Sequence, residues 1–157
     1  MTTDLPQGVA KDVTALNYLA RLSRSSDRGE FYSLLGEGLA ALIPDSVVII
    51  NSVDQERGDV TVESIRGVEH GLLGRLVGVL GFDPVGKSYG LLPSYRERYR
   101  KEGIQRLPKG LIGLAEETLP PGILRTVERL LGSEAAYTAG LLWNGRLIAS
   151  VHLILRH

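Results

Sequence analysis

The sequence predicts an α+β domain, with an antiparallel sheet held between helices. Three observations predict it. Apolar residues recur at helical spacing over 9–23, 28–43, 69–80 and 121–131. Short β-rich runs lie at 46–53, 59–66 and 137–155, the last split by Asn144-Gly145. The order helix, helix, strand, strand, helices, strand, helix, strand, strand joins strands as hairpins, without strict strand–helix alternation.

In the first helix Val9, Val13, Leu16 and Ala20 recur at steps of four and three, with Leu19 and Leu22 alongside. This short heptad-like stripe suits either its own domain or a partner helix. Asp27 and Glu30 have capping-box spacing and open a second helix, whose buried face is Phe31, Leu34, Leu35, Gly38, Leu39 and Leu42. Pro44 and Asp45 end it. SVVIINSV at 46–53 is apolar on both faces at its start, as a central strand covered on both sides requires. A polar turn, DQERG, leads into the alternating run 59–66, and the pair reads as a hairpin.

Residues 69–80 form the third helix. Gly71, Gly74, Gly78 and Gly81 share one of its faces. Each interior glycine costs about 0.8–1 kcal/mol relative to alanine. The smooth face reads as tight packing inside the domain, in preference to a partner groove. A charged helix over 94–102 is anchored by Tyr95 and Tyr99. A short strand at 104–107 and one helical turn at 111–115 follow. Pro120-Pro121 opens the last helix, with Ile123, Leu124, Val127, Leu130 and Leu131 inward and Gly132 as its stop.

The two-residue turn at Asn144-Gly145 fixes a register for the final hairpin. Trp143 then faces Arg146, Leu141 faces Ile148, Ala139 faces Ser150 and Tyr137 faces His152. That mixed face suits a pocket wall. The opposite face, with Leu142, Gly140, Thr138 and Ala136, is small and aliphatic and suits helix packing.

Composition narrows function. A chain of 157 residues suits one domain with a full core. Acidic and basic residues balance at 18 each, which argues against a nucleic-acid partner. The absence of cysteine excludes disulfides, thiolate metal sites and thiol nucleophiles. MTTDLPQGVAKDV carries no secretory pattern, and no apolar run approaches the roughly 18 residues that cross a bilayer, so a cytoplasmic domain without a membrane segment is expected. There is no G-x-S-x-G elbow, and Glu116-Glu117 reads as solvated charge at a helix start, so no catalytic set emerges and no enzyme is expected.

GFDPVGKS at 81–88 matches the phosphate-loop pattern G-x-x-x-x-G-K-[ST]. A phosphate loop needs a strand before it and a helix after it. Here a helical run precedes it, YGLL follows, and Asp83 would repel phosphate. A turn begun by Asp83-Pro84 and closed by Gly86, leading to an edge strand, is the better reading. A nucleotide hydrolase stays as the enzymatic alternative.

LIPDSVVIINSVD at 42–54, LGFDPVGKS at 80–88 and GLLWNGRLIASV at 140–151 together resemble GAF domains, in particular those beside PAS modules in prokaryotic sensor histidine kinases. The resemblance covers about residues 28–155. It implies a six-stranded antiparallel sheet, helices from both chain ends on one side, a ligand cup on the other, and homodimers formed through terminal helices. It divides the chain into an N-terminal helix and linker, 1–27, and a GAF-like sensory domain, 28–157. Covalent bilin attachment in such domains uses cysteine and is therefore excluded here. The cyclic-nucleotide signature of the family is not recognisable.

The cofactor is left unknown. Haem would need an axial ligand, which His152 supplies if it faces the cup and His70 if its loop folds in. A single histidine is weak support, and a neutral core histidine bonded to Tyr137 is the simpler account. Asn51, Tyr137, Trp143, Ser150 and His152 are the ligand-pocket candidates. Arg66 and Lys87 are candidates for attracting an anion, with solvated surface charge as the plainer account. The expected function is a non-catalytic sensory or regulatory module cut from a histidine kinase, binding a small ligand or mediating dimerisation. The alternative is a ligand-free dimerisation scaffold.

Overall fold

Local chemistry sets the element boundaries. The computed structural model describes residues 7–157. Segment 1–6, read above for targeting signals, and the side chain of Val9 lie outside the described residues. The helices are α1 (Gln7–Arg24), α2 (Arg28–Leu42), α3 (His70–Leu80), α4 (Pro93–Arg100), α5 (Gly110–Ala115) and α6 (Pro121–Leu131). The strands are β1 (Ser46–Asp54), β2 (Asp59–Arg66), β3 (Ser88–Gly90), β4 (Gln105–Arg106), β5 (Ser133–Trp143) and β6 (Arg146–Arg156). Asp27 caps α2 by accepting the Glu30 N–H at 2.9 Å. Gly81 and Gly132 end α3 and α6 in the left-handed conformation. Asn144 and Gly145, at φ 49° and 73°, make the turn that the Asn-Gly pair favours.

Among the described residues, the six strands form one antiparallel sheet in the order β3-β2-β1-β6-β5-β4. The strand predicted to be covered on both sides, β1, is indeed central. Its alternate residues divide between two cores. Val48 and Ile50 join Ala149, Val151, Leu153 and Tyr32 beneath α2. Val47 joins Ala136 and Ile154 beneath α3, α5 and α6. α1 packs on α2, where the Tyr18 ring lies so close to Gly38 that an added Cβ would sit 2.9 Å from it.

α4 covers the far end of the second face. Tyr95 and Tyr99 are both buried, with Val53, Val60 and Leu147. Its last turn rests directly on the β5 backbone. A Cβ at Gly140 would overlap the Tyr99 carbonyl oxygen, so glycine is required there by close approach.

Two expectations are corrected. First, the α3 glycines do not pack tightly. Nothing lies within 4 Å of a Cβ built at Gly71, Gly74, Gly78 or Gly81. α3 packs through Leu72, Leu76, Val79 and Leu80, and its glycine face is turned outward. Second, the final hairpin changes register. Trp143 pairs with Arg146 and Leu142 with Leu147, but Leu141 pairs with Ala149. Ile148 is an extra residue, a bulge. The pairs from Leu141–Ala149 to Ala135–Leu155 are displaced by one, so Tyr137 faces Leu153 and Thr138 faces His152, until a second irregularity at Glu134 returns Ser133 to Arg156. A one-residue slip exchanges sheet faces.

Two substitutions separate these glycines. Gly140→Ala forces α4 off the sheet and should cost about 3 kcal/mol of unfolding free energy, as overpacking does. Gly78→Ala meets no neighbour and should add about 0.8 kcal/mol through helix propensity. Urea unfolding of both variants checks the pair, and equal effects would contradict the packing described.

Candidate functional site

A cavity of about 280 Å³ lies between the sheet and the helices of its second face. Its floor is laid by Val47, Ile49 and Asn51 of β1, Val62 of β2, and His152 and Ile154 of β6. Leu76 and Leu80 of α3, Leu111 and Leu114 of α5, and Leu124 and Val127 of α6 form the walls. Two loops supply the lip: Phe82, Pro84 and Lys87 on one side, Thr118 and Leu119 on the other. Lys87 and Thr118 are exposed, which marks the mouth.

The lining is almost wholly apolar, and the polar groups gather at one end. Asn51 Nδ2 lies 2.9 Å from His152 Nε2, 3.1 Å from Tyr89 Oη and 3.3 Å from Ser150 Oγ, its two N–H groups shared among the three acceptors. His152 Nδ1 lies 3.0 Å from Thr138 Oγ1. In this arrangement Nε2 accepts, so the ring proton sits on Nδ1 and is donated to Thr138. Burial, with a smaller contribution from the Arg98 charge, lowers the His152 pKa from 6.5 to about 3. The imidazole is therefore neutral at pH 7. Tyr95 stacks on Tyr99 with ring centroids 6.1 Å apart, and Tyr99 tilts against His152 at 5.7 Å. Burial pushes the Tyr99 hydroxyl up to about 12 and raises those of Tyr89 and Tyr95.

Two buried side-chain oxygens near the cavity have no hydrogen-bond partner: Asn51 Oδ1 at this end, and Tyr95 Oη toward Thr118 of the lip. Both residues line the cavity. Buried polar atoms in native proteins are nearly always paired. A buried orphan acceptor is thus a place where a guest donor gains more than it does on an ordinary surface.

The sequence-predicted site residues divide. Asn51, Ser150 and His152 meet in one hydrogen-bonded node, with Asn51 and His152 on the cavity. Tyr137 is on the opposite face, packed in the core under α2, because of the Ile148 bulge. Trp143 stands at the hairpin tip, 68 % exposed, away from the cavity. His70 is exposed at the start of α3. His152 makes the bond expected of a core histidine, but to Thr138 and Asn51 instead of Tyr137. Both its ring nitrogens are engaged, so in this arrangement neither is free for an axial ligand. Of the two proposed anion-attracting groups, Arg66 lies on the α2 side, bonding Ser33 and bridging Glu37. Among the described residues no cluster of three or more potential ligands could hold a metal ion.

Sequence reasoning missed Tyr89 and Thr138, and saw Tyr95 and Tyr99 only as anchors. The four-residue spacing of Tyr95 and Tyr99 was the available signal. Thr138 became visible only through the bulge.

The GFDPVGKS segment forms part of the lip. It runs from the α3 cap to the edge strand β3, as the turn reading required. Its amides are already committed: Val85 N–H to Asp83 Oδ1, Gly86 N–H to Val62 O, and Lys87 N–H to Pro84 O. The amides that would cradle a phosphate are turned inward to the loop and the sheet.

No family profile matches this chain, and neither does any curated protein. Its architecture recurs in solved structures. The phycocyanobilin-bound GAF domain of a cyanobacterial phytochrome matches at TM-score 0.62 and 12 % identity, over 99 % of this chain and 82 % of that one. The GAF domain of an Acinetobacter phosphoenolpyruvate-protein phosphotransferase matches at 0.58 and 11 %, over 94 % and 78 %. The chromophore-binding domain of Stigmatella aurantiaca phytochrome P1 matches at 0.60 and 14 %, over 100 % of this chain and 55 % of that one. The chain thus spans about half the length of such phytochrome structures. At these identities the likeness is one of fold, and the fold is that of GAF domains.

The neutral imidazole gives a pH signature. Above pH 6.5 His152 is uncharged in both the folded and unfolded chain and contributes no pH dependence. Below it, the unfolded chain takes up a proton that the folded one refuses until about pH 3. Stability should therefore fall as pH drops through this window, by at most about 1.4 kcal/mol per unit. Urea unfolding at pH 7, 6 and 5 should show this slope in the parent and a reduced one in His152→Gln. Identical slopes would contradict the assignment.

Proposed function

We propose that this chain, a GAF domain in fold, is a non-catalytic sensory or regulatory module, and that its cup takes a small ligand whose presence is passed to α1 and α2. The observation that carries this reading is the apolar cavity of about 280 Å³ with an unpaired buried acceptor, Asn51 Oδ1, on its floor. The proposed parent is a signal-transduction protein of the sensor histidine kinase class. Support for that class comes from the motifs at 42–54, 80–88 and 140–151.

A route from cup to helices runs through β1. Asn51 and Ile49 face the cavity while Ile50, between them, lies under α2. At Gly36 the α2 backbone approaches Ser64, Arg66 and Ile50 closely enough that a Cβ would sit 2.5 Å from Ser64 Oγ. α2 in turn contacts Tyr18 of α1 at Gly38. A ligand that prefers one placement of the floor would bias α2 to the extent of its differential affinity.

The second reading, a dimerisation scaffold, has its own support. On α1, Val13, Leu16 and Leu19 are 42 %, 64 % and 59 % exposed. We take a homodimer through this stripe as part of the proposal. Sedimentation equilibrium should find dimers that Leu16→Glu with Leu19→Glu converts to monomers; an unchanged mass would remove the helix from the interface.

Native mass spectrometry of the purified protein, with hydrogen exchange before and after ligand stripping, tests the sensory reading. The expected result is a small-molecule mass lost on denaturation and altered exchange in α1 and α2. An occupied cup that leaves both helices unchanged would sink the proposed signalling.

A further inference from the structure

We infer that the cup selects an uncharged, largely apolar ligand of roughly ten to twelve non-hydrogen atoms that carries one hydrogen-bond donor, and that Asn51 Oδ1 receives this donor at the inner end. The inference rests on the ligand-binding reading above and gives it a chemical class.

Size comes first. An apolar cavity of about 150 Å³ holds benzene. The present one, at about 280 Å³, is nearly twice that volume. A fused bicyclic or a branched chain of similar bulk fits, whereas a nucleotide carries too many polar groups for these walls.

Charge is decided by what the interior lacks and what the lip holds. Among the described lining residues Lys87 alone is charged, and it is exposed at the mouth with its ammonium 5.0 Å from the Phe82 ring centroid. No cation faces the interior to pair with a carboxylate, and His152 has both nitrogens committed. An ion carried past the lip would lose its hydration without a counter-charge.

The donor is decided by Asn51. The two N–H groups of its Nδ2 are shared among Tyr89 Oη, Ser150 Oγ and His152 Nε2, and Oδ1 is left as the orphan. Asn51 is 1 % exposed, so water from outside does not reach its Oδ1 freely. An acceptor in this setting calls for an O–H or N–H.

Calorimetric titration with four related probes tests this on the full chain: 2-naphthol, 2-methoxynaphthalene, naphthalene and 2-naphthoate. 2-Naphthol should bind about tenfold tighter than the two neutral probes that lack a donor, the discrimination one buried hydrogen bond supplies. 2-Naphthoate should be the weakest. Asn51→Leu should bring the ratio of 2-naphthol to 2-methoxynaphthalene close to one. If that variant does not fold, Asn51→Ser, whose hydroxyl can still donate to His152 Nε2 but leaves no carbonyl oxygen at the site, should reduce the ratio severalfold. Leu114→Trp, which fills the cavity, should abolish binding of all four. Equal binding of the three neutral probes would overturn the donor assignment and leave the cup reading intact. Tightest binding by 2-naphthoate would overturn the uncharged class. Absence of binding by all four would overturn the inference and the ligand-binding reading together.

Discussion

One extra residue in β6 decides what the cup contains. Ile148 interrupts the pairing of β5 with β6, and from Ala149 to Leu155 each residue of β6 meets a partner displaced by one. Because side chains alternate across a strand, this displacement sends Thr138 to the cavity side with His152 and sends Tyr137 to the α2 side. Without the bulge a phenol would stand where the threonine stands. The ring of His152 would then lie against a bulkier neighbour, and α4 would lose the glycine on which its last turn rests. Gly140 sits on the same face as Thr138, and Tyr99 needs that face to be free of a Cβ.

The node that results is polar but uncharged. Asn51, Ser150, Thr138 and His152 are all buried, and each finds a partner within the group. Burial of a neutral, hydrogen-bonded network costs little compared with burial of an ion. It also leaves the surrounding apolar walls intact, because the groups bond laterally along the sheet. The tyrosines Tyr89, Tyr95 and Tyr99 extend this end toward α4 through edge and stacked contacts. The cup thus has a dry body and one differentiated end.

Most of the fold was legible because its signals are local. Capping at Asp27, the Gly132 stop, the uniformly apolar start of β1 and the Asn144-Gly145 turn each act through nearest neighbours. The GFDPVGKS segment could be rejected as a phosphate loop from its flanks alone, and its committed amides agree with that reading. The site was legible in part. Ser150 and His152 could be placed on one face, since that part of β6 holds its alternation, whereas the pairing of β1 with β6 that brings Asn51 to them has no local signal. Tyr137 could not be placed, because a bulge has no fixed sequence signal and Ile148 resembles any other strand residue. The outward glycine face of α3 was illegible for a related reason. Spacing shows that the glycines share a face, but only tertiary packing shows which way that face turns.

The central claim is that His152 is a neutral, fixed member of the cup's polar end. Nitrogen-15 NMR of its imidazole tests this most directly. The account predicts a protonated Nδ1, a bare Nε2 accepting from Asn51, and ring shifts that stay constant from pH 8 down to pH 5. A ring that titrates near its ordinary value, or that shows its contacts to Tyr137 instead of Thr138, would contradict it.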